Sequence, residues 1–257
     1  MTSIIDRIEV DHARFNALKT FSTNEPSLFE QTRFGDLIAT RDPARPDSYY
    51  NRVLGLTADN AALLDQAMAW ILGAARPGQR IRIDVNADTA RLVQLDDRGF
   101  ELVDALDWLR FDPHATRSGI GEGDCRSLTV HDRPELRRLL HAHGHIPDKI
   151  WQKKRTYLCT ETFRWVGVFD NHQLVSAAST WVTTDAVVLG SAYTRPHWRG
   201  RGYQQQLLEA RVRAAGAAAY VDVAPGSTSY RNCKRGGFED FEHRQIWEFH
   251  APARPGI

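Results

Sequence analysis

The residues best suited to chemistry in this 257-residue chain stand in one short run, Pro196-His197-Trp198-Arg199-Gly200-Arg201-Gly202-Tyr203-Gln204. Arginine offers a planar fork of donors that matches phosphate oxygens. The interleaved glycines allow left-handed backbone and let main-chain amides approach a ligand closely. Before the run lies the apolar stretch from Ala186 to Thr194, whose β-branched residues suit a buried strand. After it, Tyr203, Leu207, Leu208, Val212 and Ala215 recur at helical spacing, with Gln205, Gln206, Glu209 and Arg213 on the other side. The order is therefore strand, basic glycine turn, helix. A helix start leaves its first amides unpaired and carries partial positive charge, so the arrangement is an anion site suited to a phosphate or pyrophosphate. The nucleotide-triphosphate pattern Gly-x-x-x-x-Gly-Lys-Ser/Thr is absent, and the dinucleotide fingerprint fails where Gln205 replaces its third glycine. A basic surface turn before an ordinary helix is the plainer reading of the same residues.

The spacing Arg199-x-x-Gly202, after a strand ending in Tyr193-Thr194, resembles the acyl-CoA loop of the GNAT acyltransferase superfamily. That pattern reads Arg/Gln-x-x-Gly-x-Gly/Ala, and Gln204 stands where Gly or Ala is usual. The resemblance implies acetyl-CoA as acyl donor, with Arg199, Gly200, Arg201, Gly202, Tyr203 and Gln204 holding its pyrophosphate. It also implies that backbone at Tyr193 and Thr194 meets the pantetheine arm. Ser229 matches a small residue beside that arm, and Asn232 is either a CoA contact or a solvated helix position. Many family members place a tyrosine five residues before the final phenylalanine; counting back from Phe238 reaches Cys233. Cys233 is then either a proton donor to the leaving thiolate or plain core, and Tyr230, one helical turn away, is the other hydroxyl on offer. Glu161, just before a strand hairpin, is the candidate base for the amine, against the reading of a surface glutamate. Asp222 is the runner-up, but Asp84 occupies the matching place in the first half, which argues for structure.

That match is part of a wider register. Val221, Val223 and Phe238 stand 138 residues after Ile83, Val85 and Phe100, and Trp247 stands 139 after Trp108. Agreement over successive elements reads as an internal duplication. The same offset carries Arg199 to Gly202 onto Ala61-Ala62-Leu63-Leu64, so the first copy lacks the basic turn. Strands are expected at Ser48–Thr57, Arg80–Val85 and around Trp108, with a helix from Asp59 through Ile71, a short one from Thr89 and another near His12–Leu18. In the second copy, strand Arg126–Val130 and helices at Pro134–His141 and Pro147–Lys154 precede a hairpin across Asn171-His172. The strand Tyr220–Val223, a helix capped by Ser227 or Ser229 and ended by Gly236-Gly237, and the strand Gln245–Phe249 follow the basic turn. The expected fold is α/β, with two GNAT-like domains, each a mixed, mostly antiparallel central sheet flanked by helices. The domains are expected at 1–115 (degenerate) and 124–257 (motif-bearing), joined by a polar, glycine-rich linker at 116–123.

Composition is that of a soluble globular protein, 42% hydrophobic and 25% charged, and a net charge of +1 recommends neither nucleic acid nor a membrane surface. No apolar run approaches the ~18 residues of a membrane span, and a signal peptide is not expected because Met1 to Arg7 lack its apolar core. Cys125, Cys159 and Cys233 suggest no disulfide framework, so a reducing cytoplasm is expected. His141, His143 and His145 are spaced by two, which does not share a helix face, so no metal site is expected. Trp151, Tyr157, Trp165 and Trp181 either line an apolar acceptor pocket or fill core. The chain is thus expected to be an N-acetyltransferase acting on a primary amine of a small molecule, as monomer or homodimer. A CoA-binding sensor without turnover and a peptide acetyltransferase are the other readings.

Overall fold

The computed structural model describes residues 3–112, 125–144, 146–183 and 186–251, less the side chain of residue 143. The first half contains α1 (Ile4–Lys19), β1 (Glu30–Phe34), β2 (Leu37–Arg41), β3 (Arg52–Leu54), α2 (Leu64–Leu72), β4 (Arg80–Val85), α3 (Ala87–Val93) and β5 (Glu101–Phe111). The second contains β6 (Cys125–Ser127), α4 (Arg133–His143), α5 (Asp148–Lys154), β7 (Phe163–Asp170), β8 (Gln173–Val182) and β9 (Val187–Thr194). It continues with α6 (Tyr203–Ala215), β10 (Ala219–Val223), α7 (Thr228–Arg235) and β11 (Glu239–His250). The order hairpin, strand, helix, strand, helix, strand occurs in both halves, in line with the 138-residue register.

The polypeptide forms two compact units, and these are not the contiguous stretches 1–115 and 124–257. Unit 1 takes the chain up to Thr20, Glu25–Leu106 and the residues from His243 on; unit 2 takes Phe21–Asn24 and Asp107–Glu242. Strand pairing explains the difference. Residues 245–250 of β11 pair antiparallel with β4, and residues 107–111 of β5 pair antiparallel with β10. Each unit therefore closes with a strand from the other half of the sequence. Alternation marks a strand but not its partner, which is decided by packing. The linker at 116–123 lies outside the described residues.

In unit 1, β1-β2-β3 is antiparallel, β3 pairs parallel with β4, and β4 pairs with the end of β11. The β1–β2 hairpin has no counterpart among the sequence expectations, because the first four residues of β1, Glu30 to Arg33, are polar and show no apolar alternation. The helix expected near His12 runs the full length of α1: Ser3 Oγ accepts from Asp6 N at 3.1 Å, and Asp6 Oδ2 accepts from Ser3 N at 3.1 Å. Asp59 does not cap α2; a 3-10 turn over Ala58–Leu63 precedes the helix, and Asn60 Oδ1 accepts from Thr57 N. The strand expected over Ser48–Thr57 is only three residues long, because the Asn51 side chain ties the preceding turn, donating to the carbonyls of Arg45 and Asp47 and accepting from Asp42 N. Leu37, Val53, Leu64, Ile71, Ile81, Ile83 and Phe100 form the core. Beside it, Arg52 is fully buried between Glu9 at 3.2 Å and Asp84 at 3.6 Å, and Arg244 reaches Asp6 at 2.8 Å. This supports a structural role for Asp84.

In unit 2 the order is β6-β7-β8-β9-β10-β5, antiparallel except for β9–β10. Asn171 and His172 both have positive φ, 48° and 64°, so the β7–β8 hairpin closes with the two-residue turn its sequence suggests. Leu109, Phe111, Val187, Leu189, Leu208, Val212, Val221 and Phe238 form the core against α6 and α7. A second cluster of Val166, Val168, Val175, Ala178 and Leu207 lies under the start of α6.

Candidate functional site

The parallel pairing of β9 with β10 is confined to Val187 with Ala219 and Val188 with Tyr220. Beyond it, β9 bulges. Ala177 faces Tyr193 and Ser179 faces Gly190, so Ser191 and Ala192 together oppose Ala178, with Ser191 at φ 39°. The bulge is braced from α6 by Arg211, a buried guanidinium that donates to the carbonyls of Ser179 at 3.0 Å and Gly190 at 3.3 Å, and to Leu207 at 3.1 Å. Burial lowers its pKa to about 10.

The bulged end of β9, the glycine turn, the start of α6 and one face of α7 line a cleft of about 900 Å³. Its walls include Ala192, Tyr193 and Thr194, then Trp198, Arg199, Gly200, Gly202, Tyr203, Gln204 and Gln205, and finally Thr228, Ser229, Asn232 and Arg235. Gly200 and Gly202 have φ 79° and 78°, and an added Cβ at either would meet nothing within 4 Å. Glycine is required there by backbone conformation, and the space it leaves open is the cleft side. Gly202 is the N-cap of α6 and supplies no side chain to close the first turn. Among the described residues, the buried Gln205 Nε2 has no hydrogen-bond partner. Open left-handed glycines, an uncapped thirteen-residue helix start, Arg199 and Arg235 make a cradle for an anion with a long flexible arm.

Nine of the residues expected to hold CoA therefore share one cleft: Tyr193, Thr194, Arg199, Gly200, Gly202, Tyr203, Gln204, Ser229 and Asn232. Arg201 is not among its walls; it faces Asp170 at 3.6 Å. The main-chain carbonyls at the end of β9 are partly engaged. Tyr193 O accepts from Ser176 Oγ at 3.1 Å and Thr194 O from Arg199 Nε at 3.2 Å.

The expected catalytic side chains lie elsewhere. Cys233 is 3% exposed in the core of unit 2, and burial pushes its thiol up to about 11. It belongs to the buried cluster that includes Leu208 and Phe238 and is not among the cleft walls. Tyr230 donates to Asp240 Oδ1 at 2.9 Å, and that carboxylate raises its pKa. Lys234 shares Asp240 at 3.0 Å. Glu161 stands on an exposed turn before β7, where its carbonyl accepts from Arg164 Nε at 2.8 Å. None of the three lines the cleft. Asp222 is exposed, unlike buried Asp84. Trp151, Trp165 and Trp181 are buried core residues and Tyr157 is half-buried.

Sequence reasoning missed Ala192, Trp198, Gln205, Thr228 and Arg235 as wall residues. For α7 the signal was present: Thr228, Asn232 and Arg235 recur at four and three residues, one helix face. Among the described residues no group of three or more His, Cys, Asp or Glu is placed to hold a metal, and no helix is long and apolar enough to cross a membrane. His141 lies in the last turn of α4; the side chain of His143 and all of His145 lie outside the described residues.

No family model matches this chain, and no curated protein matches it in sequence. Solved structures do match in shape over its whole length. A GCN5-related N-acetyltransferase from Kribbella flavida aligns with TM-score 0.63 and 12% identity, covering 100% of this chain and 98% of that one. A tandem GNAT protein from the clavulanic acid biosynthesis pathway aligns with TM-score 0.59 and 13% identity, again covering 100% and 98%. A GCN5-related N-acetyltransferase from Sphaerobacter thermophilus gives 0.59 and 15%, covering 100% and 96%. At such identities the likeness concerns fold. With its duplicated element order, a parallel strand pair in each unit and an end-to-end match to a tandem protein, the chain has the tandem GNAT fold.

Proposed function

We propose that the protein is an acyl-CoA-dependent N-acyltransferase that moves acetyl from acetyl-CoA to a primary amine of a small molecule, with the donor held in unit 2. The observation that carries this is the single cleft uniting the bulge at Ala192, the left-handed glycines, the open start of α6 and the Ser229–Asn232 face of α7. Guanidinium groups and helix-start amides complement a diphosphate, and the gap beside β9 suits a narrow arm bearing amides. In unit 1 the place of the turn is taken by the 3-10 segment Ala58–Leu63, which carries Asp59 and no arginine. Donor binding is accordingly assigned to unit 2, with unit 1 structural.

The reaction needs a neutral amine, which attacks the thioester carbonyl carbon. The C–S bond breaks, and the proton lost by nitrogen ends on the departing sulfur. Since Tyr230, Cys233 and Glu161 do not line the cleft, water is the proton carrier this geometry favours. The same observation favours a second reading, a CoA-binding protein without turnover. The localisation expected is the cytoplasm, and the acceptor is a small amine rather than nucleic acid or membrane. Titration of the purified protein with acetyl-CoA by calorimetry tests binding, and thiol release over a panel of primary amines tests turnover. Binding with amine-dependent thiol release supports the enzyme, binding alone supports the second reading, and no binding rejects both.

A further inference from the structure

Asp170 ends β7 immediately before the turn Asn171-His172, and its backbone is fixed by pairing with Gln173. Its Oδ2 accepts from Trp198 Nε1 at 2.8 Å. The indole packs on the cluster of Val166, Val168, Val175, Ala178 and Leu207 and forms part of the cleft wall. The turn that cradles the anion is thus anchored to the sheet through one aromatic side chain and one carboxylate oxygen. The same oxygen lies 3.6 Å from the Arg201 guanidinium, where the two side chains are 31% and 54% exposed. That contact is a solvent-screened charge pair, weak in itself. It pairs Arg201, which is not among the cleft walls, with a carboxylate and places a negative charge beside the anion site.

We infer that Asp170 is a positioning residue with two opposed effects on donor binding: through Trp198 it holds the phosphate turn in its binding shape, and through its charge it offsets Arg201. The inference rests on the reading of the cleft as a CoA site. The two effects separate chemically. Asparagine keeps an oxygen that accepts from the indole N–H but carries no charge, whereas alanine removes both. Asp170→Asn is expected to bind CoA about two- to fivefold more tightly than wild type, the size of an exposed charge-pair effect, with the gain fading at high salt. Asp170→Ala is expected to bind about tenfold more weakly, because the indole donor loses its partner and the turn its anchor. Trp198→Phe should weaken binding similarly, and adding Asp170→Ala to it should recover about two- to fivefold, since the anchor is already gone and only the charge is left to remove.

The experiment is calorimetric titration of CoA into the five full-length proteins at low and high salt, each checked for unchanged thermal unfolding. Opposite signs for the asparagine and alanine variants support the inference, because a merely structural carboxylate would give one sign for both. Equal weakening in both variants overturns it, as do variants indistinguishable from a wild type that binds. A wild type that ignores CoA overturns this inference together with the functional reading beneath it.

Discussion

Phe111 and Phe238 pack in unit 2 with ring centroids 5.4 Å apart and planes tilted by 53°. Phe100 and Phe249 repeat the arrangement in unit 1 at 5.4 Å and 48°. Each pair is offset from the other by 138 residues, and each joins a phenylalanine after a left-handed glycine, Gly99 or Gly237, to one on a strand from the opposite half of the chain. The aromatic pairs therefore record both the duplication and the exchange of final strands. Phe238→Ala should cost about 3–5 kcal/mol, as for a fully buried phenylalanine, and a double-mutant cycle with Phe111→Ala should show about 0.5–1.5 kcal/mol of coupling. Urea denaturation measures both. Strict additivity would argue that the rings do not pack as described.

Arg211 braces the β9 bulge by donating to the main-chain carbonyls of Leu207, Ser179 and Gly190. Arg211→Met keeps the stem but leaves the carbonyls of Ser179 and Gly190 without their donor. A stability loss of about 2–4 kcal/mol is expected. Acetyl-CoA affinity should fall as well, because the bulge forms the wall at Ala192. Unchanged affinity in a folded variant would remove the bulge from the account.

Glu9 and Asp84 share Arg52, yet burial raises Glu9 from 4.5 to about 7 while Asp84 is held below the ordinary carboxylate range. The asymmetry comes from Arg82, which meets Asp84 with two guanidinium contacts. A carboxyl whose folded pKa lies above its unfolded value binds more protons in the native state. Its contribution is full below pH 4.5 and is lost as pH rises through about 7. Wild type should therefore lose stability relative to Glu9→Gln between pH 5 and pH 8 in chemical denaturation. A difference that stays flat across that window would contradict the assignment.

Tyr230→Phe and Cys233→Ala probe the catalytic expectations. Neither side chain lines the cleft, so each variant should turn over within about threefold of wild type, rather than show the roughly 10²–10⁴-fold loss that follows removal of a general acid. Cys233→Ala should instead cost about 1–2 kcal/mol of stability through the core gap it leaves. A large drop in turnover with unchanged CoA affinity, in either variant, would restore that residue to the chemistry.

Much of this was legible from local pattern. Arg199-x-x-Gly202 between an apolar strand and an amphipathic helix identified the cleft, because turn chemistry and helix-start polarity are local properties. The repeat of Ile83, Val85 and Phe100 at Val221, Val223 and Phe238 disclosed the duplication. What pattern could not show was pairing. Nothing in Trp108–Phe111 or Gln245–Phe249 says which sheet each strand joins, since alternation is the same in either. Asp170 escaped notice for a related reason, standing 28 residues from the indole it holds. Cys233 was placed by counting within a motif, and only packing against Leu208 and Phe238 revealed which way it faces.

The central claim is that left-handed glycines at an uncapped helix start hold a CoA diphosphate in unit 2. Gly202→Glu puts a side chain and a negative charge into that space, at a backbone cost of about 1–2 kcal/mol that the fold should survive. Calorimetric titration of wild type and Gly202→Glu with CoA is the most direct measurement. The account predicts binding by wild type and none by the folded variant. Undiminished affinity in Gly202→Glu would contradict it.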